Sequence, residues 1–404
     1  MKPSDFQRGC PGELIATEFV FNQSGRSEVV RGHAFVPQPL PPPLARDALV
    51  GRLHDALDRA KTNLLRLEAA VHSLPDPNVL LRAMRTREAQ ASSHIENTVA
   101  SLDEIALAEA GARVDRDEAI EVLNNRRAIE FGLESALPLS QRLVCEAHHI
   151  LLDGARGENL QPGRFRDRQV YIGDRTRGFQ KARFVPPPPG DPLRACLRDW
   201  EIFVNPQSLQ APKRERWPYL IELAMAHYQF ETIHPFADGN GRLGRALVNI
   251  APVRDSFLRY PVCNLSEWVE SRRDEYYERL LRVSTHSAWE AWFSFFCQAL
   301  AEQAALDLER AHRVCTLRDT YRHRFTSKRN SSLLLKLIDQ LFTQPAVTIP
   351  GAAESLGVTY PSAQSYVLQL EKEKILSLAN REAKYGKIYI ARPIIHAIRG
   401  GTEV

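Results

Sequence analysis

Apolar residues return every three or four positions along most of this 404-residue chain, and that period limits its fold more than any other feature. Leu49, Leu53, Leu57, Leu64, Leu65 and Leu67 carry the period between charges from Leu44 to about His72, and Pro75 and Pro77 stop it. Residues 79–92, 102–110, 116–135 and 140–152 repeat the signature, so the first third reads as helical with strand signals almost absent. Residues 1–43 end in PQPLPPPL, whose prolines impose an extended backbone, and they read as a packed arm or a linker. Helices resume at about 191–205, 217–233, 241–251, 266–283 and 287–311. On the last of these, Trp289, Trp292, Phe293, Phe295 and Phe296 read as core packing. The fold class is mainly α.

Two segments depart from the helical period. Between Gly154 and Pro189, the runs Gln169, Val170, Tyr171, Ile172 and Phe184 to Pro186 flank the turn-rich GDRTRG and predict a β-hairpin. From about Ser331, helices at 332–343, 349–356 and 361–374 and short strands at 375–378 and 388–391 follow the order of a winged helix-turn-helix. Its candidate recognition helix offers Ser362, Gln364, Ser365, Tyr366 and Gln369 without Lys or Arg in the first turns, while Arg381, Lys384 and Lys387 stand on the wing. Contact with DNA, contact with protein, and pairing of two copies all remain open for that unit. The expected units are 1–115, 116–312 and 329–404.

Composition excludes more than it assigns. Lys+Arg 53 against Asp+Glu 49 is too even to argue for nucleic acid, a membrane surface or an acidic substrate. No apolar run approaches the roughly 18–20 residues of a membrane span, so no membrane contact is expected. Cys10, Cys145, Cys196, Cys263, Cys297 and Cys315 lack the close pairs of zinc or redox motifs, and no apolar leader precedes them, which suits a reducing cytoplasm. His148 and His149, without a ligand partner at metal spacing, read as packing or surface residues.

Chemistry concentrates in HPFADGNGRLGR, from His234 to Arg245. Gly239 and Gly241 let the backbone turn tightly, and a helix starting near Arg242 would present free amides and a positive dipole end to an anion. Asp238 is a hard oxygen donor suited to Mg2+, and the Asn240 amide is a donor for a phosphate oxygen. Arg242 and Arg245 lie three apart on one helix face, where both reach a single polyphosphate. His234 supplies an imidazole able to take a hydroxyl proton near neutral pH.

This run resembles the Fic family signature HxFx(D/E)GNGRxxR at every fixed position, and MAHYQFETI before it looks like the helix that leads into that signature. The resemblance, over roughly residues 40–312, implies a Fic-type helical core with the hairpin as a flap that clamps a target chain by β-augmentation. It implies transfer of AMP from ATP to a Ser, Thr or Tyr hydroxyl of a protein, with His234 as base, Asp238 holding Mg2+, and Gly239, Asn240, Gly241, Arg242 and Arg245 on the phosphates. The GNGR form favours AMP over phosphate or phosphocholine as the group moved. Tyr276 and Tyr277, with Ser266, resemble adenine contacts. SSHIENT, from Ser92 to Thr98, is similar to the family's inhibitory [S/T]xxxE[G/N]N sequence, with Thr98 where asparagine is usual, and implies that Glu96 competes with the nucleotide for Arg245. Autoadenylylation and homodimerisation are left open. The alternatives are a DNA-binding regulator whose Fic core senses nucleotide, and an enzyme that removes AMP.

Overall fold

In the computed structural model, the described residues are 2–23, 26–112, 117–157, 159–173, 181–208, 211, 213–326, 331–380 and 386–400. The chain opens with two antiparallel strands where an arm or linker was expected: β1 (Gly12–Gln23) pairs with β2 (Arg26–Pro37) from Gly12↔Pro37 to Gln23↔Arg26. The first third therefore does contain strands. Apolar and polar residues alternate only loosely along GELIATEFVF, and what stabilises the hairpin lies far off in sequence. Phe35 is fully buried, its amide donates to the Val185 carbonyl at 2.9 Å, and Ala34 packs with Ala182 and Val185.

Helices then follow almost without interruption. They are α1 (Arg46–Arg52), α2 (His54–His72), α3 (Asn78–Ile95), α4 (Leu102–Glu109), α5 (Asp117–Glu134) and α6 (Gln141–Leu152). After the flap come α7 (Asp191–Val204), α8 (Tyr219–Ile233), α9 (Asn240–Arg254), α10 (Ser266–Glu270), α11 (Arg273–His286) and α12 (Trp289–Thr326). The stretches expected as single helices at 44–72 and 266–283 are each divided, at Leu53 and around Arg272.

Amphipathic stripes explain the packing. Ala60, Leu64, Leu67 and Val71 of α2 face α12, whose Trp289, Trp292, Phe293, Phe295 and Phe296 are all buried, as expected. By contrast α8 is apolar nearly all round, from Leu220 to Ile233, and sits at the centre of the main core with α9. The turn between these two buried helices is thereby held rigidly from both sides, and it is the turn that carries the His234 motif.

The last unit consists of α13 (Ser331–Thr343), β3 (Ala346–Thr348), α14 (Ile349–Leu356), α15 (Tyr360–Lys372), β4 (Ser377–Leu378), β5 (Ile388–Ile390) and α16 (Arg392–Arg399). The strands form an antiparallel sheet in the order β3-β5-β4. Arg381 and Lys384 lie outside the described residues, and Lys387 is exposed. This unit shares one apolar core with α3, α4 and α5 and with Val314, Tyr321 and Phe325 of α12. No helix among the described residues is long and apolar enough to cross a membrane.

Candidate active site

His234 ends α8 in the left-handed conformation, with φ 49° and ψ 62°. Its Nδ1 lies 3.3 Å from the Glu231 carbonyl, which only accepts, so Nδ1 carries the proton and Nε2 keeps a free lone pair. Burial, assisted by the charge of Arg166, pushes the imidazole down to about 4. At neutral pH this side chain is an uncharged base. Arg166, itself buried, donates to the carbonyls of His234 at 2.8 Å and Pro187 at 2.5 Å, and so fixes the end of α8 against the base of the flap.

The loop after His234 is braced from within. Asn240 accepts from the Phe236 amide at 2.8 Å and donates to the Phe236 carbonyl at 2.9 Å. One N–H of the Asn240 amide is thus used within the loop, and the second remains as a donor. Gly239, at φ +77°, caps α9, and a Cβ there would press on Leu151 and on His148 Nε2. His148 is buried, stacks on Phe236 with ring centroids 3.7 Å apart, and has its Nε2 2.9 Å from the Asp238 carbonyl, while the Gly163 amide donates to its Nδ1 at 2.9 Å. Those two partners fix the neutral tautomer with Nε2 protonated, and burial pushes the ring down to about 4. The packing role expected of His148 therefore includes a bond that shapes the turn; exposed His149 makes no part of it.

Two buried guanidiniums stand on the first turns of α9. Arg245, 1% exposed, donates from Nε to Ser92 Oγ at 3.0 Å, and from Nη2 to the Ser92 carbonyl at 2.8 Å and to Glu96 Oε1 at 2.9 Å. Its Nη1 is buried without a hydrogen-bond partner. Glu96 follows the last residue of α3, and Asn97, at φ 64°, takes the left-handed position that favours Gly or Asn at a helix end. A Cβ on Gly241 would collide with Glu96 Oε1 and Arg245 Nη1, so this glycine is what lets the carboxylate lie against the first turn of α9. Burial opposes ionisation of Glu96, but the charge and hydrogen bond of Arg245 outweigh it and hold the carboxyl below its ordinary range. Arg242, equally buried, donates to Glu121 of α5 at 3.0 Å and lies 3.5 Å from Asp238.

The remaining sequence candidates divide. Tyr276 is fully buried, with its hydroxyl 2.8 Å from His227 Nε2, and Ser266 is turned onto Glu88; both belong to the core rather than to an open face. Tyr277 is only partly buried. In the flap, Ile172 and Phe184 form a single antiparallel bridge rather than paired strands, and residues 174–180 lie outside the described residues. Gln169 donates to Pro186 at 2.8 Å and accepts from Thr17 of β1 at 3.3 Å, and Tyr171, like Ile15 and Val30, packs against the cluster of Ala34, Ala182 and Val185, so the N-terminal hairpin backs the flap. Val170 lies beside them, partly buried.

Asp238 is the carboxylate of the turn, 28% exposed, and no group of three or more His, Cys, Asp or Glu side chains among the described residues could hold a metal by itself. Such a donor set fits Mg2+, which binds through one or two carboxylates plus substrate phosphates and water.

Residues 54–134 match the Fic/DOC family N-terminal region, and residues 138–251 match the Fic/DOC family domain. The chain carries both the N-terminal region and the domain of the Fic/DOC family. Among its Fic relatives, the protein adenylyltransferase Fic of Drosophila virilis is 30% identical over 144 residues, covering 35% of this chain and 26% of the relative. That of Aedes aegypti is 29% identical over 287 residues, covering 66% of this chain and 53% of the relative. The chain thus spans from a quarter to about half of these relatives' length. The crystal structure of a Fic family protein from Desulfovibrio desulfuricans overlays with a TM-score of 0.50 at 21% identity, covering 82% of this chain and 95% of that one. It shows the Fic fold, a helical core with a small antiparallel component.

Proposed function

We propose that the chain is an adenylyltransferase that moves AMP from ATP to a Ser, Thr or Tyr hydroxyl of a protein, and that Glu96 restrains it. The observation that carries this reading is the combination, within one turn, of a neutral imidazole with a free Nε2 and two buried guanidiniums beside a glycine-built helix N-terminus. The hydroxyl proton passes to Nε2 of His234 as its oxygen bonds to the α-phosphorus. The bond from that phosphorus to the bridging oxygen breaks, and pyrophosphate leaves with its charge balanced by Arg242 and Arg245. Mg2+ bound through Asp238 would supply further charge neutralisation at the phosphates.

Glu96 bears on the same step because its carboxylate lies where a phosphate would meet the first turn of α9 and Arg245. With Glu96 in place Arg245 keeps both N–H groups of Nη1 unused, and departure of the carboxylate would free a third on Nη2. Target chains would add along the flap at residues 169–172. The last unit fits a winged helix-turn-helix, and exposed Tyr360 and Leu368 on α15 suit protein contact better than a phosphate backbone. Six free cysteines suit a reducing cytoplasm.

ATP labelled at the α or at the γ position tests the proposal in the wild type, Glu96→Gly and His234→Ala. Protein label is expected only from the α position, to rise in Glu96→Gly, and to vanish in His234→Ala. Protein label from the γ position would overturn AMP transfer, and an unchanged Glu96→Gly would overturn the restraint.

A further inference from the structure

Arg242 is held by a different apparatus from Arg245. Its Nη1 donates to Glu121 Oε2 at 3.0 Å, its Nη2 lies 3.5 Å from Asp238 Oδ2, and its Nε is buried without a partner. The two charged side chains are 1% and 3% exposed. Onto the same Oε2, Thr98 donates its hydroxyl at 2.8 Å. Arg156 then closes the group, donating from Nη2 to Thr98 Oγ1 at 3.0 Å, with Nε 3.6 Å from Glu121 Oε1.

Geometry gives this cluster a purpose. A guanidinium is a planar fork, and a carboxylate fixed on one of its nitrogens sets the direction of the others. Helix α5 packs against both α3 and α9, so Glu121 keeps its distance to each. Thr98, two residues beyond Glu96, is buried, and its amide donates to the Ser93 carbonyl at 3.0 Å, making it part of the turn that ends α3. One carboxylate oxygen therefore receives both a phosphate-site arginine and the turn that bears Glu96.

We propose that Glu121 is a positioning residue that aims Arg242 at the nucleotide phosphates, and that Thr98, bonded to the same oxygen, ties the Glu96 turn to that anchor. This rests on the adenylyl-transfer reading. The test places Glu121→Gln in the Glu96→Gly background, which keeps the shape and an acceptor for Thr98 but removes the charge. The KM for ATP is expected to rise roughly tenfold, more than kcat falls, with partial recovery in Glu121→Asp. In the otherwise wild-type chain, Thr98→Val is expected to raise α-label transfer several-fold, and to give no such gain once Glu96 is glycine. An unchanged KM, or faster transfer in Glu121→Gln, would overturn the proposal, the second by making Glu121 a competitor for Arg242. Calorimetric ATP binding to the same variants separates the two readings. If Glu96→Gly transfers no label, adenylyl transfer fails, yet a Kd weakened by Glu121→Gln still supports positioning and an unchanged Kd still overturns it. Should Glu121→Gln not fold, Glu121→Asp carries the same measurements and must itself weaken ATP binding.

Discussion

The guanidiniums of Arg242 and Arg245 lie one helical turn apart and are buried to the same degree, but their carboxylate partners differ in what removes them. Glu96 sits on the end of a helix, 31% exposed, beside a residue in the left-handed conformation. A small rotation of that end would take it into water. Glu121 is 3% exposed, inside α5, and shares its oxygen with Thr98. Its departure would strand a buried cation. In the proposed reading, position on the helix, rather than the chemistry of the pair, makes one contact a latch and the other a brace.

Unfolding experiments measure that difference most directly. Removing one partner of a buried ion pair typically costs about 3–5 kcal/mol, which is the loss expected for Glu121→Leu in urea denaturation. Glu96→Ala should cost about 1 kcal/mol or less, because water reaches its partner once the side chain is gone. Equal losses would break the distinction between latch and brace.

The brace has a second component in His148, which fixes the Asp238 carbonyl between His234 and the glycines. Replacing it by Leu leaves that carbonyl and the Gly163 amide without partners, at a cost of about 2 kcal/mol. Transfer in the Glu96→Gly background should fall together with stability. A variant that lost stability but kept full transfer would confine the brace to Glu121.

What could be read from the sequence follows the range of the interactions concerned. The stripe of α2, the start of α12 and the turn from His234 to Arg245 are local patterns, and the observed elements agree with them to within a few residues. The end of α12 was not legible, because Val314, Tyr321 and Phe325 extend it through a charged stretch by packing against the last unit. The β1–β2 hairpin depends on Val185, some 150 residues on, by the chain-closure distances that loose alternation cannot report. Arg166 and His148 act through backbone carbonyls that only folding brings near. Glu121 left a faint trace: with Asn124, Asn125 and Arg126 it forms a polar run that α5 nevertheless buries.

The smallest effect lies on the latch side, at His94. Its Nδ1 is 3.0 Å from Glu270 Oε1 and its Nε2 is 3.3 Å from the Ala100 carbonyl. Both partners accept, so both ring nitrogens donate and the imidazolium is the form that fits. The hydrogen bond to Glu270 raises the pKa of His94 against the opposing effect of burial, and Arg87 nearby also opposes it. A raised value means that the pair stabilises the end of α3 fully below the unfolded pKa of about 6.5, and that this contribution is lost as pH rises through the folded value. Because Glu270 is 37% exposed, solvent screening limits the contribution to below about 1 kcal/mol. Thermal unfolding of the wild type and His94→Gln should therefore differ at pH ~5.5 and converge by pH ~9. If the pair also steadies the latch, wild-type α-label transfer should rise modestly across that window relative to Glu96→Gly. A difference in stability that grew toward alkaline pH would reverse the assignment of the imidazolium and detach His94 from the latch.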